Sequence, residues 1–390
     1  MSAGEHGGDI WGAAQRRRVP LSRLIDFSAN INPLGPSARA RKRLARDLSL
    51  VAHYPDKRQG ELRRLLAARD GVAEDCILFG NGATQLIHLI PRVRRYKRAL
   101  IVEPTFSEYR RALSNSRIEI HEFILKPKND FHLDLDLLLR TLRQEQPDVV
   151  FLASPNNPTG LAIPRRTLLR IAAFCEGRGT DLIVDESFIE FTSERSLVRA
   201  APRGRCLIVI RSLTKSFALA GLRIGYLVAV RSRVKELASH IEAWSVNTLA
   251  LAAAAASILD ADYIQNARRL IQQEREYLTR GLSQLGWLHL YPSSANFLLV
   301  RIQSRYVSAP ALQRMLEARN VLIRDASNFR GLGEEYLRLA IRPHKENCRL
   351  LAELRAIGKA LLSQRGRKRW STEQSHGGLP EESKRTARPI

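Results

Sequence analysis

The sequence RSLTKSFALAGLRIGY, residues 211–226, follows directly on the apolar run CLIVI at 206–210. A short continuous apolar run of this kind is typical of a strand buried on both faces, as in parallel sheets covered by helices. Lys215 comes a few residues after the run, with hydroxyl side chains and an arginine close to it in the chain. Ligands of open α/β sheets bind at the carboxyl ends of the strands. The stretch therefore predicts an α/β fold with Lys215 at a ligand-binding edge.

The same alternation of apolar runs and helical patterns extends along the chain. Amphipathic segments such as ATQLIHLIPRV separate several of the runs, which favours a mainly parallel sheet wrapped by helices. From about Asp260 the pattern changes to a long charged helix and further strands, which predicts a smaller α+β unit. The strand-like runs are CILFG (76–80), RALIVEP (98–104), DVVFLASP (148–155), DLIVDES (181–187), CLIVIRS (206–212) and GYLVAV (225–230).

These patterns divide the 390 residues into two domains and a tail. We predict a large cofactor-binding domain over residues 50–259. The smaller domain is formed by the N-terminal arm, residues 1–49, together with residues 260–362. Residues 363–390 are rich in basic side chains and lack apolar periodicity, so we predict a disordered tail.

The net charge of +24 is unusually large, and such a balance often indicates a partner that carries phosphates. Two other interpretations are a proteome rich in arginine and a small phosphorylated substrate attracted by the overall field. The basic residues are spread along the chain, and no basic stripe alternates with aromatic residues outside the tail. We therefore expect no nucleic acid, and both of these interpretations of the charge stay open.

Other bulk features narrow the class of protein. The N-terminus lacks the apolar core of a secretory signal, and the most apolar stretch, residues 249–259, is too short to span a bilayer. The four cysteines are far apart and form no metal-binding or disulfide spacing. We expect a cytoplasmic protein with no membrane segment and no metal.

Three other predicted strand ends carry residues suited to ligand binding. GNGAT at 80–84 opens a helix whose free N–H groups favour an anion, although a purely structural turn can have the same sequence. SPNNPTG at 154–160 forms a rigid turn that can present an asparagine amide. Asp185 ends the apolar run LIVD, where a carboxylate is costly unless a cation meets it.

Together the four strand ends match the groups of pyridoxal 5'-phosphate. A lysine can form a Schiff base with the aldehyde, and a buried aspartate can keep the pyridine nitrogen protonated. An asparagine can donate to the ring oxygen, and a helix N-terminus with Ser212 and Arg223 can hold the phosphate.

The sequence SLTKSFALAGLRIGY resembles the lysine signature of fold-type I pyridoxal-phosphate enzymes, the aminotransferase family. SPNNPTG and VDESFIEF resemble its companion motifs, and the similarity extends from about Asp26 to Leu351. The resemblance implies that fold, with a large domain and a smaller α+β domain. It also implies that Lys215 forms the Schiff base and moves the proton at Cα, that Asp185 pairs with the pyridine nitrogen, and that Asn157 bonds the ring hydroxyl.

Further residues acquire roles from the same resemblance. Phe106 in EPTFSEY takes the place of the aromatic that stacks on the ring, although it can also be a core aromatic. Tyr54 in HYPD resembles a tyrosine that reaches the phosphate from the neighbouring subunit, which implies a homodimer with shared active sites. Ser212 and Thr214 can alternatively be turn hydroxyls that satisfy local backbone. The residues implied around the cofactor phosphate are Gly82, Ala83, Thr84, Ser212, Thr214 and Arg223.

The substrate side of the resemblance involves two arginines. Arg338 in YLRLAIR resembles the arginine that binds an amino acid's α-carboxylate. Arg342, four residues on, can assist it or can simply be a solvated charge at the end of a strand. Arg324 in VLIRDASNF matches the arginine that binds a substrate phosphate in histidinol-phosphate aminotransferases. We expect a substrate with both a carboxylate and a phosphate. The N-terminal segments HGG and FSANINPLG are expected to close the entrance and, with Asn157, to contact the substrate through His6, Gly7 and Asn30.

The segments HGGDI, DFSANINPLGP and YPD resemble most closely the threonine-phosphate decarboxylases of the cobalamin pathway, relatives of histidinol-phosphate aminotransferase. Phe188 stands where that aminotransferase group usually has a tyrosine. The implied reaction is decarboxylation of O-phospho-L-threonine to (R)-1-amino-2-propanol O-2-phosphate. Histidinol-phosphate aminotransferase and an inactive binding or regulatory protein are the alternatives, because motifs do not fix which bond at Cα is aligned for cleavage.

Overall fold

The computed structural model describes residues 6–374, with backbone alone for residues 362–374. The strands are β1 (Ile25–Asp26), β2 (Ile77–Gly80), β3 (Arg98–Glu103), β4 (Glu119–Ile124), β5 (Val149–Ala153), β6 (Asp181–Asp185), β7 (Leu207–Ser212), β8 (Gly225–Val228), β9 (Leu288–Leu290), β10 (Phe297–Ile302), β11 (Val321–Leu322), β12 (Arg324–Asp325) and β13 (Tyr336–Ala340).

The helices alternate with these strands through most of the large sheet. They are α1 (Ile10–Arg17), α2 (Ala38–Asp47), α3 (Gly60–Asp70), α4 (Gly82–Arg94), α5 (Ser107–Asn115), α6 (Leu135–Glu145), α7 (Arg165–Glu176), α8 (Leu213–Ser216), α9 (Arg231–Ala238), α10 (Thr248–Ile258), α11 (Ala261–Ser283), α12 (Ala309–Glu317) and α13 (His344–Gln374).

Seven strands form the large sheet in the order β2-β8-β7-β6-β5-β3-β4. The pairs from β7 to β4 are parallel, whereas β8 runs antiparallel to both β2 and β7. Helices cover both faces: Val150 and Leu152 of β5 belong to one buried cluster, and Val149 and Phe151 belong to the other. Burial on both faces explains why these strands read as continuous apolar runs. The predicted fold class, a mainly parallel sheet with a smaller α+β unit, is confirmed.

The smaller unit contains an antiparallel sheet in the order β12-β13-β10-β9. Ile271 of α11 and Leu350 of α13 lie in its buried core, so both long helices pack there. β1 pairs in parallel with β11, with Ile25 opposite Val321, and this brings the N-terminal arm back to the smaller unit.

Helix α2 departs from the predicted division at residue 49. It packs against α10, and Ala40 is fully buried in the same core cluster as Ala250. Small side chains on both helices permit this close approach. The N-terminal arm is therefore divided, with β1 in the smaller unit and α2 against the larger one.

The last helix continues to Gln374, beyond the predicted boundary at residue 362. Residues 363–374, the first part of the predicted disordered tail, are therefore helical and belong to α13. Its sequence contains mostly arginine, lysine, glutamine and other residues that helices tolerate, with no proline before Pro380. The rest of the tail, residues 375–390, lies outside the described residues. Within the described part of the chain, no helix is both long and apolar enough to cross a membrane.

Candidate active site

A cavity of about 330 Å³ lies at the carboxyl ends of the central parallel strands. Ala153, Asp185 and Ser212, the last residues of β5, β6 and β7, line it from the large sheet. Arg324 and Arg338 line it from the sheet of the smaller unit. The site therefore lies between the two sheets, at the edge where the sequence predicted a ligand.

Lys215 lies in the short helix α8, which directly follows β7, and its side chain lines the cavity. Burial lowers the pKa of its amine to about 8, with further lowering by the cations Arg338 and Arg223. Asp185 opposes this shift because its negative charge favours the ammonium form. An amine whose pKa is lowered in this way has a larger neutral, nucleophilic fraction near physiological pH than an ordinary lysine.

Asp185 faces Lys215 from the end of β6, where the apolar strand buries the carboxyl group. Burial raises its pKa, and hydrogen bonds from Ser187 and Tyr109 offset part of the effect. The Tyr109 hydroxyl donates to Oδ2 at 2.6 Å, and the Ser187 amide donates to Oδ1 at 2.8 Å. The two donors fix the carboxylate in one orientation toward the cavity. A cationic nitrogen placed there would satisfy a buried charge that is costly alone.

The two asparagines of SPNNPTG have different surroundings. Asn156 is buried, where it donates to the carbonyl of Pro104 at 2.8 Å and accepts from Thr105 at 2.8 Å. Its amide is thus used to hold the turn. Asn157 instead lines the cavity, and its Oδ1 accepts a hydrogen bond from Arg338 at 2.5 Å. Asn157 is therefore the residue of this pair whose amide reaches the site.

An anion cradle lies where α4 begins. Gly82 has φ +76°, and a Cβ atom there would lie 2.4 Å from Nη2 of Arg223. Only glycine therefore permits both this backbone conformation and the approach of the guanidinium. Gly225 of β8 permits a second close approach, because a Cβ atom there would lie 2.6 Å from the amide nitrogen of Ala83. Ala83 and Thr84 line the cavity beside this cradle.

Two hydroxyl groups complete the cradle. The side-chain oxygens of Ser212 and Thr214 lie 2.7 Å apart, and both residues line the cavity with Arg223. These hydroxyls, the start of α4 and the guanidinium supply several donors on one side of the site. Such a donor set is suited to a phosphate group.

Arg338 and Arg324 are buried where the sheet of the smaller unit lines the cavity. Arg338 donates to the carbonyl of Ser28 at 2.6 Å, and burial together with the charge of Arg324 lowers its pKa to about 9. Arg324 donates to Oδ1 of Asn328 at 2.7 Å, and its guanidinium lies 5.4 Å from the ring centre of Phe329. Two buried guanidinium groups in one cavity favour a ligand with more than one negative charge.

The N-terminal arm covers part of the entrance. His6 and Gly7 line the cavity, and the ring of His6 donates to buried Glu108 at 3.0 Å. A Cβ atom on Gly7 would lie 2.1 Å from the carbonyl oxygen of Ser28, so glycine permits the close contact. Asn30 also lines the cavity, and within the described part of the chain its buried Oδ1 has no hydrogen-bond donor. The segments predicted to close the entrance thus lie there.

Two aromatic residues were assigned to the cofactor by sequence. Phe106 lines the cavity, where its ring meets the Tyr109 ring edge-on at 5.8 Å. Tyr54 is not among the residues that line the cavity: it is 80% exposed and stacks on Trp244 with ring centres 4.5 Å apart. A role for Tyr54 in the site of a neighbouring subunit stays a prediction.

Sequence reasoning missed several polar residues of the site. Tyr109 and Ser187 bind Asp185, Glu108 binds His6, and Asn328 binds Arg324. Tyr109 comes three residues after Phe106, a spacing that places both on one face of a helix start. That spacing is the signal that could have identified it.

The side chains present fit pyridoxal phosphate. The cavity has a buried carboxylate with its own donors, a lysine amine, a half-buried asparagine amide and a cradle of phosphate donors. These are the groups that an aldehyde, a pyridine nitrogen, a ring oxygen and a phosphate require. The pair of arginines on β12 and β13 remains for a substrate.

Comparisons with known proteins agree with this geometry. The sequence profile of aminotransferase class I and II matches residues 22–354. Threonine-phosphate decarboxylase of Salmonella typhimurium is 38% identical over 90% of this chain and 96% of its own. The solved structure of L-threonine-O-3-phosphate decarboxylase from Porphyromonas gingivalis has a TM-score of 0.76 and 30% identity, covering 85% of this chain and 98% of its own. Histidinol-phosphate aminotransferase from Clostridium acetobutylicum has a TM-score of 0.80 and 27% identity, covering 86% and 100%.

Proposed function

Since this chain belongs to the aminotransferase class I and II family, we propose that it uses pyridoxal phosphate to decarboxylate O-phospho-L-threonine. The products are CO₂ and (R)-1-amino-2-propanol O-2-phosphate, in the cobalamin pathway that the sequence resemblance implies. The observation that carries the proposal is the pair of buried arginines, Arg324 and Arg338, on the substrate side of the cavity.

Pyridoxal phosphate, when bound, supplies an electron sink for the bond that breaks at Cα. Lys215 lines the cavity, and its amine would hold the aldehyde carbon of that group and would move the proton at Cα. Asp185, oriented by Tyr109 and Ser187, stabilises positive charge at the pyridine nitrogen. Asn157 would donate to the ring oxygen, and Phe106 would pack on the ring.

Arg338 binds the substrate carboxylate, because its guanidinium lies beside Asn157 and is fixed by Ser28. Arg324, on the adjacent strand β12, binds the substrate phosphate. His6, Gly7 and Asn30 close over the phosphate end of the substrate. Positioning by these contacts would decide which bond at Cα is aligned for cleavage. The Cα–carboxylate bond breaks, CO₂ leaves, and the proton from Lys215 takes its place.

The test is to supply purified protein with pyridoxal phosphate and O-phospho-L-threonine, with no keto acid, and to measure CO₂. We expect one CO₂ and one phosphorylated amino alcohol for each O-phospho-L-threonine consumed. The Lys215→Ala variant should release neither product. Absence of CO₂ from well-folded protein with bound cofactor would refute the proposal.

The second candidate is histidinol-phosphate aminotransferase, which also binds a phosphorylated amino compound. The likeness to the Clostridium acetobutylicum enzyme is the observation in its favour. Histidinol phosphate has no carboxylate, so in this reaction Arg338 would have only the carboxylate of the keto-acid co-substrate to bind. Turnover of histidinol phosphate with 2-oxoglutarate, at a rate above that of phosphothreonine decarboxylation, would favour this candidate.

The homodimer with shared sites belongs to the same proposal. Leu48, Val51, Tyr54 and Trp244 are large apolar or aromatic side chains that are between 47% and 80% exposed. Burial of such side chains against a second copy of the chain would stabilise a dimer. Tyr54 would then reach the partner's cofactor phosphate.

A further inference from the structure

A second cluster of reactive side chains lies on helices α11 and α13, and none of its residues lines the cavity. The sulfur of Cys348 lies 3.5 Å from Nε2 of His344, and Nδ1 of the same ring lies 3.1 Å from a carboxylate oxygen of Glu274. The hydroxyl of Tyr277 lies 3.1 Å from the sulfur. Cys348, His344 and Glu274 thus form a thiol–imidazole–carboxylate arrangement.

The hydrogen bonds fix the direction in which a proton can move. Glu274 is buried and its other oxygen accepts from Asn347 at 2.8 Å, so the carboxylate is held in place. An ionised carboxylate only accepts hydrogen bonds, so Nδ1 of His344 carries the proton. The lone pair of Nε2 then faces the thiol of Cys348 and can accept its proton.

Tyr277 supplies a second contact to the sulfur. Its pKa is raised, first by the hydrogen bond with Cys348, so the hydroxyl keeps its proton and can donate it to a thiolate. The Tyr277 ring also packs against the His344 ring with centres 4.5 Å apart. The imidazole is therefore held between Glu274 and the sulfur.

Accessibility distinguishes Cys348 from the other cysteines. Cys76, Cys175 and Cys206 are buried, whereas Cys348 is partly exposed and His344 is 60% exposed. Burial raises the pKa of the Cys175 thiol to about 12 and that of Cys206 to about 11, which suppresses their thiolate forms. The four cysteines thus provide three internal controls for the reactivity of one.

We propose that Cys348 is a reactive thiol that forms a mixed disulfide with low-molecular-weight disulfides. The sulfur of Cys348 attacks one sulfur of the small disulfide while its proton passes to Nε2 of His344. The disulfide bond breaks, a new S–S bond forms with Cys348, and the leaving thiolate takes the proton from His344. The small disulfide is the oxidant, and one small thiol is released for each protein modified.

The test treats the full-length enzyme, loaded with pyridoxal phosphate, with glutathione disulfide. Intact and peptide mass spectrometry should show one glutathione on Cys348 and none on Cys348→Ser. His344→Gln and Tyr277→Phe should each slow the modification by about tenfold or more. Each removes a hydrogen-bond partner of the sulfur, and a hydrogen bond to a charged group shifts the equilibrium between thiol and thiolate by about that factor. Glutathione on the buried cysteines instead of Cys348 would overturn the proposal.

His240→Gln is the matched control, because it removes an exposed histidine that follows helix α9 on the larger unit. It should leave the rate of modification unchanged. His344→Gln removes a largely exposed side chain, so that variant should fold, and its circular dichroism should match the parent. A folded His344→Gln protein that reacts at the parent rate would also overturn the proposal, whatever the outcome for decarboxylation.

Discussion

Arg324 and Arg338 lie directly opposite one another on the adjacent strands β12 and β13. Both are buried, and like charges that face each other across a strand pair destabilise the sheet. The charge of Arg324 contributes to lowering the pKa of Arg338, which expresses the same repulsion. A substrate with two anionic groups would relieve it, and for this reason the pair favours a phosphorylated amino acid.

The first prediction separates the two anions. If Arg324 binds the phosphate and Arg338 the carboxylate, Arg324→Ala should raise KM for O-phospho-L-threonine far more than for unphosphorylated L-threonine. Arg338→Ala should weaken both. A charge-assisted contact contributes about 1.5–3 kcal/mol, so the preference for the phosphorylated substrate should fall about ten- to a hundredfold with Arg324→Ala. Steady-state kinetics on both substrates measures this.

Arg342 provides the matched control for that comparison. It follows β13, and its guanidinium donates to Glu346 at 2.8 Å. Arg342→Ala should therefore leave the preference between the two substrates unchanged. Equal losses for threonine and its phosphate with Arg324→Ala would contradict the phosphate role of that arginine.

The second prediction concerns Asp185. Asp185→Asn should retain pyridoxal phosphate but lower kcat by at least about a hundredfold, because the pyridine nitrogen loses the anion that keeps it protonated. Tyr109→Phe removes one donor to the carboxylate but leaves its charge, so it should cost much less. Absorption spectra would report cofactor retention, and CO₂ release would report rate. Parent-like turnover by Asp185→Asn would make this carboxylate purely structural.

The contrast between Asp185 and Tyr109 shows what sequence can predict. Asp185 ends an apolar strand, so its unusual position is visible in the chain itself. The contact from Tyr109 joins the start of α5 to the end of β6, and no local pattern records a contact between distant segments. The buried strands could be identified in the same way, because burial on both faces leaves a continuous apolar run in the sequence itself. Edge strand β4 was missed because EIHEFI is half-exposed and polar.

The third prediction uses the pKa of Lys215, which burial and neighbouring arginines lower to about 8. The amine is protonated below this value and neutral above it, and only the neutral amine attacks an aldehyde. Attachment of pyridoxal phosphate to cofactor-free protein should therefore accelerate with rising pH, with a midpoint of about 8, and then level off. Stopped-flow absorbance in the visible range measures the rate.

Arg338→Gln tests the cause of that midpoint. The charge of Arg338 lowers the pKa of Lys215, so its removal should move the midpoint to higher pH. Lys215→Ala should show no attachment at any pH. A midpoint that does not respond to Arg338→Gln would mean that burial and the other neighbouring charges, and not Arg338, set the pKa of the amine.

The position of α2 shows a different limit of the sequence. Its pattern of alanines and arginines predicts a helix, but the surface that it covers is decided by α10 in the folded chain. A glycine gives more information about local structure, because Gly82 has a positive φ that its neighbours in GNGAT do not have. Local conformational needs are visible in sequence, and the choice between packing partners is not.

The last prediction tests whether Tyr54 acts in the partner's site. Tyr54→Ala and Lys215→Ala should each lose most activity as pure homodimers. In a heterodimer of the two variants, one site contains both substitutions and the other contains neither. Random exchange of equal amounts therefore restores about a quarter of all sites, because half of the dimers are mixed and each has one intact site. Mixing Lys215→Ala with Asp185→Asn should restore nothing, since both side chains act within their own chain's cavity and no site regains both. If subunit exchange between the Tyr54→Ala and Lys215→Ala proteins restores no activity, Tyr54 does not act in the partner's site.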